Sequence, residues 1–387
     1  ETYEQVDCLR DQGFPSALAR ALSLQSTRAF PLRLWIVDNS GSMREPDGRR
    51  LVESSTKDNV KWAKTTRWEE LKDTVTYHAQ LAGLLQAPSQ FMLLNPPASN
   101  GLHQMSVAEM GPDMIDEDLY SLKSALASTS PGGCTPLTRH VNNICALVSF
   151  MQRDLETNGQ RVVVVLATDG VPTDPSGHAG WKVDQDFEQA LQRLQNLPVW
   201  IVVRLCTNDE RVVEYYQKLD DRLEWNLEVL DDFVGEAKEV HQYNPWLNYS
   251  LPLHRCREWG FPSRLFNLLD EKTFSLDEMR EFLQLMFADS NTRLPDPAAD
   301  WEEFKKCVSK LIDKEEKPWN PIKRKPTPWI DLRQLENTYG PYRHQRKFIT
   351  LVTTAFVVVS VLWQLITKMV HSLWRTASLS PTPSPTP

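Results

Sequence analysis

"RVVVVLATDG", residues 161–170, begins with a mostly apolar and β-branched strand candidate at 161–167 and ends in an aspartate and a glycine. Two other stretches have the same character, "LRLWIV" at 32–37 and "VWIVVRL" at 199–205. Continuous apolar runs of this length are typical of parallel strands that are covered on both faces of a sheet. Weaker strand candidates lie at 91–94, 104–109 and 226–230. The chain is therefore predicted to contain a mostly parallel sheet.

Amphipathic helices are predicted between these strands. Apolar residues recur at helical spacing in three segments, namely Trp68, Leu71, Val75, Ala79, Ala82 and Leu85; Leu137, Val141, Ile144, Val148, Met151 and Leu155; and Phe187, Leu191 and Leu194. Alternation of strands with helices predicts a doubly wound α/β fold. Ligands of such a fold bind beyond the carboxyl ends of its strands.

Composition limits the classes of partner. The chain has 387 residues, 41% of them hydrophobic, and a formal net charge of −8. Because the basic residues are dispersed along an acidic chain, no nucleic-acid partner is expected. The six cysteines show no paired spacing, so the sequence favours free thiols in a reducing compartment over disulfides or a zinc site.

The chain divides into segments of different character. Residues 1–29 predict a helical lead-in, weakly similar to the first two helices of a ubiquitin-associated domain but without a third helix before the first strand. The α/β domain is predicted over 30–233 and a helical extension over 234–316, with helices near 235–257, 262–271, 275–288 and 298–314. Ser275 and Glu278 form a capping-box pattern. A proline- and tryptophan-rich extended arm, 317–346, is expected to pack on the globular part.

The carboxyl-terminal segment predicts a membrane anchor. Residues 348–367 are uncharged, and as a helix they would be about 30 Å long, the hydrocarbon thickness of a bilayer. The sequence predicts a transmembrane helix over 347–369 and a disordered tail over 370–387. Basic residues before the span place the large domain on the cytoplasmic side. The alternative is a core helix in a soluble cytoplasmic protein, because polar residues fall roughly on one face of the segment.

A candidate metal site follows the first predicted strand. "DNSGS" places Asp38, Ser40 and Ser42 at alternate positions in the loop that leaves the strand. Side chains at such spacing in a tight loop can converge on one point. Mg²⁺ prefers about six oxygen ligands and keeps several waters, which suits two hydroxyls and a carboxylate.

Two further loops are predicted at the same edge of the sheet. "SPGGCTPL" places Thr135 just before a helix, and "LATDG" places Asp169 at the carboxyl end of the strongest strand. Neighbouring parallel strands lie about 4.8 Å apart, so residues that leave their ends can meet on one ion.

At these residues the chain resembles the von Willebrand factor A domain, whose metal-ion-dependent adhesion site is D-x-S-x-S, then a threonine, then an aspartate. All five positions match, and "DNSGSM", "GGCTPL" and "ATDG" are more similar to intracellular and bacterial members than to integrins. The resemblance covers about residues 30–233. It implies a Mg²⁺ or Mn²⁺ ion with the hydroxyls of Ser40, Ser42 and Thr135 in direct contact and Asp38 and Asp169 acting mostly through water. It also implies a protein ligand whose Glu or Asp completes the coordination shell.

One departure from the family pattern lies between Ser42 and the helix predicted near Arg67. This intervening stretch is longer than is usual in the family, and its charged residues are expected on the ligand-facing rim, namely Arg44, Glu45, Asp47, Arg49 and Arg50. Because long loops in compact domains are usually functional or disordered, partner selection is the expected role.

The predicted function is a non-enzymatic, metal-dependent protein-binding module. Both glycine fingerprints of nucleotide-binding folds are absent from the sequence, and no G-x-S-x-G elbow surrounds Ser40 or Ser42. A metal-dependent hydrolase at the same loops and a metal-free structural platform remain alternatives, and His140 is the one histidine near enough in sequence to Thr135 to approach the site.

Overall fold

A computed structural model describes residues 3–53, 60–97, 101–207, 209–223, 227–289 and 292–341. Its helices are α1 Tyr3–Asp11, α2 Ser16–Arg28, α3 Arg67–Leu85, α4 Ile115–Ser128, α5 Leu137–Thr157, α6 Trp181–Gln195, α7 Glu210–Leu223, α8 Phe233–Tyr243, α9 Leu251–Glu258, α10 Arg264–Asn267, α11 Leu276–Phe287, α12 Trp301–Ile312 and α13 Leu332–Tyr339. Its strands are β1 Leu32–Val37, β2 Gly48–Glu53, β3 Val60–Thr65, β4 Ser89–Leu93, β5 Gln104–Val107, β6 Val162–Thr168, β7 Val199–Leu205, β8 Leu227–Leu230, β9 Trp319–Asn320 and β10 Lys325–Pro326.

The chain forms two compact units. The first extends to Asp331 and contains the elements up to β10; in the second, which begins at Leu332, the described part is α13 and the two residues after it. The domain boundaries predicted from the sequence, including the one at residue 233, stay predictions.

The main sheet has six strands in the order β5-β4-β1-β6-β7-β8. All neighbouring pairs are parallel except β4 and β5, which are antiparallel. The mixed α/β architecture with a largely parallel sheet is thus confirmed. The sequence order reverses at β1 and β6, whose registers pair Val37 with Ala167. This switch point, where open α/β sheets bind ligands, brings the residues after the two strands side by side.

Helices cover both faces of the sheet. On one face, apolar side chains of β1, β6 and β7 form a buried cluster with side chains of α5, α6 and α7. On the other face, the Trp35 ring of β1 stacks against Phe91 of β4 and lies 4.8 Å from the His78 ring of α3. Strands buried on both sides explain why their sequences are continuously apolar rather than alternating.

The predicted helical lead-in is present as α1 and α2. Helix α2 packs against α3 and α11. The lead-in is therefore part of the first compact unit, and residues 29–31, between α2 and β1, hold no further helix.

The stretch predicted as a long loop after Ser42 is instead mostly an antiparallel hairpin. Strands β2 and β3 pair from Gly48 with Thr65 to Glu53 with Val60. The prediction was wrong because charged residues interrupt the apolar alternation that identifies a strand.

The helix predicted over 235–257 is two helices. Helix α8 ends at Tyr243 and α9 begins at Leu251. Pro245 explains the break, because proline has no N–H to donate and disfavours helical geometry in the residue before it. The predicted helix at 262–271 is only the short α10. The capping box at Ser275 and Glu278 is confirmed.

The proline- and tryptophan-rich arm packs on the rest of the first unit over residues 317–331, the part of the arm that lies within that unit. Ile330 makes an isolated bridge to Leu247, and Trp329 is buried. The amide of Asn248 donates to Thr327 Oγ1 at 2.9 Å. The arm also contains the two-residue pairing of β9 with β10, which the expectation of a purely extended segment missed.

The prediction of a transmembrane helix is corrected. In the described part of the chain, no helix combines the length and apolar composition that crossing a bilayer requires. The longest helices there, α3 and α5, have 19 and 21 residues and carry charged side chains. The predicted span, 348–367, lies outside the described residues, as does the predicted tail. The predicted membrane anchor therefore has no support in the described part of the structure.

Candidate metal centre

Asp38 lies directly after β1, and its backbone N–H continues the ladder by donating to the Ala167 carbonyl at 2.9 Å. Its side chain is fully buried. Oδ1 accepts from the Ser40 N–H at 2.7 Å, and Oδ2 accepts from the Thr168 hydroxyl at 2.6 Å. Burial, together with the nearby charge of Asp169, raises the pKa of Asp38 to about 6. A cation beside Asp38 would favour its ionised form.

Ser40, Ser42 and Asp169 form a continuous row of oxygen atoms. The two serine hydroxyls lie 3.1 Å apart, and Ser42 Oγ donates to Asp169 Oδ1 at 2.7 Å. Ser40 and Asp169 are buried, whereas Ser42 is exposed at the edge of the sheet. The middle member of the row is therefore exposed, with a buried oxygen on either side of it.

Thr135 lies in a third loop, which is hydrogen-bonded to the loop after Asp169. Its N–H donates to the Thr173 hydroxyl at 2.9 Å, and its carbonyl accepts from the Thr173 N–H at 2.9 Å. Its hydroxyl lies 3.8 Å from where a Cβ on Gly170 would be, and Gly170 follows Asp169. The Thr135 loop is thus fastened to the Asp169 loop.

Backbone contacts hold this loop against the first one as well. Gly41 N–H donates to the Gly133 carbonyl at 3.1 Å, and Gly132 N–H donates to the Asn39 carbonyl at 2.7 Å. Asn95, which follows β4, exchanges hydrogen bonds with Asn39 and donates to the Cys134 carbonyl. A Cβ on Gly133 would lie 2.9 Å from the Asn95 side chain, so glycine allows this close approach.

The oxygen spacing fits a hard divalent cation. Octahedral Mg²⁺ with bonds of about 2.1 Å places neighbouring ligand oxygens about 3.0 Å apart. The separations of 3.1 Å and 2.7 Å in the Ser40, Ser42 and Asp169 row are close to this value. They are also ordinary hydrogen-bond lengths, so the hydroxyl protons would have to turn away when the oxygens bind an ion. The donor set of carboxylates and hydroxyls is the chemistry that Mg²⁺ and Mn²⁺ accept.

Sequence reasoning missed Arg67 as a member of the site. Its Nη1 donates to Asp169 Oδ2 at 2.9 Å, while Nε and Nη2 donate to the two oxygens of Asp47 at 2.7 and 2.6 Å. The hydrogen bonds with Arg67 hold the pKa of Asp47 below its ordinary value and raise that of Arg67. A signal was present, because a cation in the first turn of a helix opposes the helix dipole and calls for acidic partners.

The charged residues expected on the ligand-facing rim lie in two different environments. Arg44 donates to the Pro131 carbonyl at 2.8 Å, and the Glu45 carbonyl accepts from the Arg67 N–H. Asp47, Arg49 and Arg50 instead border a cavity of about 620 Å³ beside the site. Its other walls are residues of α3, α9 and the carboxyl end of β7. The cavity shares Asp47 and Arg67 with the candidate metal centre.

His140 has a structural environment. It is buried on α5, and its Nε2 donates to the Leu94 carbonyl at 2.9 Å. The ring also contacts the sulfur of Met92 at 3.2 Å. These contacts occupy the ring that the hydrolase alternative would need as a base.

A second group of carboxylates, Glu236, Glu239 and Asp270, also lies close enough together to hold an ion. Arg257 occupies it, donating to Glu236 and, at 2.9 Å, to Asp270. The buried guanidinium already supplies positive charge there, and this group is a structural ion-pair network.

Comparisons with known proteins give the following. No protein-family profile and no curated protein matches the chain. Among solved structures, the VWA domain of SpRpn10 has 14% identity and a TM-score of 0.33, covering 52% of this chain and 88% of that one. The pilus adhesin SpaC of Lactobacillus rhamnosus GG has 15% identity and a TM-score of 0.32, covering 52% of this chain and 29% of that one. The PilB minor pilin of Streptococcus sanguinis has 13% identity and a TM-score of 0.32, covering 52% and 57%.

Superpositions at this level support no statement about metal, partner or activity. The fold assignment rests on the strand order and on the helices on both faces, which agree with the doubly wound α/β fold predicted from the sequence. Membership in the von Willebrand factor A family and the ligand roles of the five residues stay predictions.

Proposed function

We propose that this protein is a divalent-cation-dependent protein-binding module without catalytic activity. One observation carries the proposal: Asp38, Ser40, Ser42 and Asp169 form a single connected set of oxygen atoms at the switch point of the sheet, with Thr135 fastened beside them. Ligand sites of open α/β sheets occur at such points. The exposed member of the row, Ser42, gives a partner access to the ion.

Some residues of the site would bind the ion, and others hold the ion-binding side chains in position. Ser40, Ser42 and Thr135 would contribute hydroxyl oxygens directly, and Asp38 and Asp169 would act mostly through water. When bound, the ion supplies a positive centre for an acidic side chain of a partner. Thr168 and the Ser40 N–H keep Asp38 oriented, which limits the rearrangement needed on binding.

Titration calorimetry with Mg²⁺ and Mn²⁺ tests the site. Wild-type protein should bind one ion, and Ser42→Ala should weaken binding by about tenfold or more, the scale of lost ligand contacts. Ser176→Ala is the matched control, because Ser176 is exposed in the loop after Asp169 and is not one of the five residues. Absence of binding in the wild type, or equal binding by Ser42→Ala, would refute the metal site.

An immobilised peptide array tests the partner chemistry. Each peptide is made twice, with Glu or with Gln at its centre. We expect capture of Glu peptides in Mg²⁺, with loss in EDTA and in the Gln versions. Capture that ignores both the metal and the Glu-to-Gln exchange would favour the metal-free platform, and hydrolysis of the peptides would favour the hydrolase.

A further inference from the structure

We propose that Arg67 is an internal cation that competes with the metal for Asp169, and that Asp47 provides the position to which Arg67 withdraws. The inference rests on the proposed function, since it concerns the affinity of that same site. It assigns to the stretch between Ser42 and α3 a control over metal occupancy rather than only over partner choice.

The hydrogen bonds of Arg67 define its two partners. One nitrogen, Nη1, contacts Asp169, and the opposite edge of the guanidinium makes a bidentate pair with Asp47. The Arg67 side chain is 12% exposed, whereas that of Asp169 is fully enclosed. Arg67 therefore lies between the buried carboxylate and the surface.

Both oxygens of Asp169 are engaged within the protein. Ser42 donates to Oδ1 and Arg67 donates to Oδ2. Asp38 is the second buried carboxylate of the site, so two buried negative charges have one guanidinium near them, which is shared with Asp47. Two buried carboxylates without a counter-charge would be costly. Arg67 supplies part of the charge that a bound cation would supply.

The place of Arg67 in the chain is unfavourable without these partners. It is the first residue of α3, after the capping residue Thr66. A positive side chain there opposes the helix dipole, which favours anions at this end. The two carboxylates offset that effect, and neither is close to Arg67 in sequence: Asp47 is 20 residues before it and Asp169 is 102 residues after it.

A divalent ion and a guanidinium on the same carboxylate repel each other. Binding of the ion therefore requires Arg67 to give up Asp169, and the bidentate pair with Asp47 lets it do so without leaving a buried charge unpaired. Removing the Arg67 charge should raise metal affinity. Removing the Asp47 charge should lower it, because the full positive charge of Arg67 then stays at the site.

Calorimetric titration of Mg²⁺ into four variants of the full chain tests this. Arg67→Gln should bind Mg²⁺ on the order of ten- to a hundredfold more tightly than wild type, the scale of a neighbouring like charge in a partly buried site. Arg67→Lys keeps the charge and should stay within a few-fold of wild type, while Asp47→Asn should bind several-fold more weakly. Arg50→Gln is the control: it removes one positive charge from the β2–β3 hairpin, where Arg50 pairs with Asp73 of α3, and should leave the affinity nearly unchanged.

Thermal unfolding in EDTA and in Mg²⁺ gives a second measurement. Arg67→Gln should melt at a lower temperature than wild type in EDTA and gain more from Mg²⁺. Equal or weaker Mg²⁺ binding by folded Arg67→Gln, with binding retained in the wild type, would overturn the competition and leave the proposed function intact. Absence of binding in every variant would overturn both. Binding by Arg67→Gln alone would support the competition but would refute the proposed function, which requires the wild-type protein to bind the ion.

Discussion

At the scale of single residues, His78 shows how a buried base sets the response to acid. It is fully buried on α3, donates from Nε2 to Glu258 at 2.9 Å and stacks on the Trp259 ring. Burial lowers the pKa of His78 to about 4 from an ordinary value of 6.5. Glu258 stays ionised because Arg255 and His254 lower its pKa against the effect of burial. His78 is therefore a neutral donor to a charged carboxylate.

His78 should make the protein acid-labile. Below pH 6.5 His78 is protonated in the unfolded chain, whereas in the folded chain it stays neutral until about pH 4. The contribution of neutral His78 to the free energy of unfolding is therefore complete above pH 6.5 and is lost as the pH falls towards 4. The loss should amount to roughly 3 kcal/mol. Urea unfolding of wild type and His78→Gln from pH 7.5 to 4 should show this extra loss in the wild type alone. Exposed His241→Gln is the control, and a wild-type-to-His78→Gln difference that is constant with pH would contradict the account.

The candidate site shows how far single residues can be predicted from the sequence. Asp38, Ser40 and Ser42 were found because they are close in sequence and follow a recognisable strand, and Asp169 and Thr135 because they follow or precede recognisable elements. Arg67 was not predicted, and Asp47 was expected only as one of several rim charges, because an ion pair between a helix start and a distant loop leaves no periodic pattern. Only the unfavourable placement of Arg67 at a helix start pointed to it.

At the scale of elements, Gly260 marks where the segment after α9 meets the sheet. Its φ is +74°, and a Cβ there would lie 2.6 Å from Val163 Cγ1 of β6. Gly159, between α5 and β6, has a φ of +64° but nothing within 4 Å of the position of a Cβ. The two glycines share a left-handed backbone and differ in the space around them.

Alanine at these glycines should separate strain from crowding. Gly159→Ala should cost about 1 kcal/mol, the penalty of a left-handed alanine. Gly260→Ala should cost that amount plus roughly 1–3 kcal/mol for overpacking against β6. Chemical denaturation at pH 7 measures both, and equal losses would show that the β6 contact tolerates the methyl group.

Elements that repeat one pattern over a whole length were predicted well. β1 and β7 match their predicted limits, and β6 is shifted by one residue. The pair of strands β2 and β3 was missed because the two strands are stabilised by pairing with each other rather than by an apolar pattern in either one. The break between α8 and α9 was missed because the helix-breaking effect of Pro245 was not applied to the helix predicted there. The local sequence pattern was sufficient to predict the elements that are buried along their whole length. It was not sufficient where pairing with another strand, or a single proline, determines where an element lies.

At the scale of the whole molecule, the helices after residue 233 complete the core under the sheet. The Arg33 guanidinium of β1 lies 3.9 Å from the centre of the Trp259 ring, and Glu258 accepts from Arg204 Nε at 3.3 Å. All four side chains are buried. These contacts join residues more than 50 positions apart, so the sequence could not show that the sheet depends on them.

Truncation measures this dependence. A chain ending at residue 331 retains the whole first compact unit and should melt cooperatively. A chain ending at residue 233 loses Trp259 and Glu258, so Arg33 loses the ring beside it and Arg204 loses one of its two carboxylate partners, the other being Glu70. This loss should remove several kcal/mol, comparable with a domain's total stability. Circular dichroism melts should show no cooperative transition for the shorter chain. If both melt within a few degrees of each other, the boundary predicted at residue 233 is a true domain boundary.

The pairing of Arg67 with Asp169 has a consequence for handling the molecule. Proteins that depend on a structural ion denature when a chelator removes it. Here the chain carries its own counter-charge, so dialysis against EDTA should leave it folded and ready for reloading. Occupancy of the metal site would then follow the free magnesium concentration reversibly, over many cycles of removal and reloading, without unfolding of the chain.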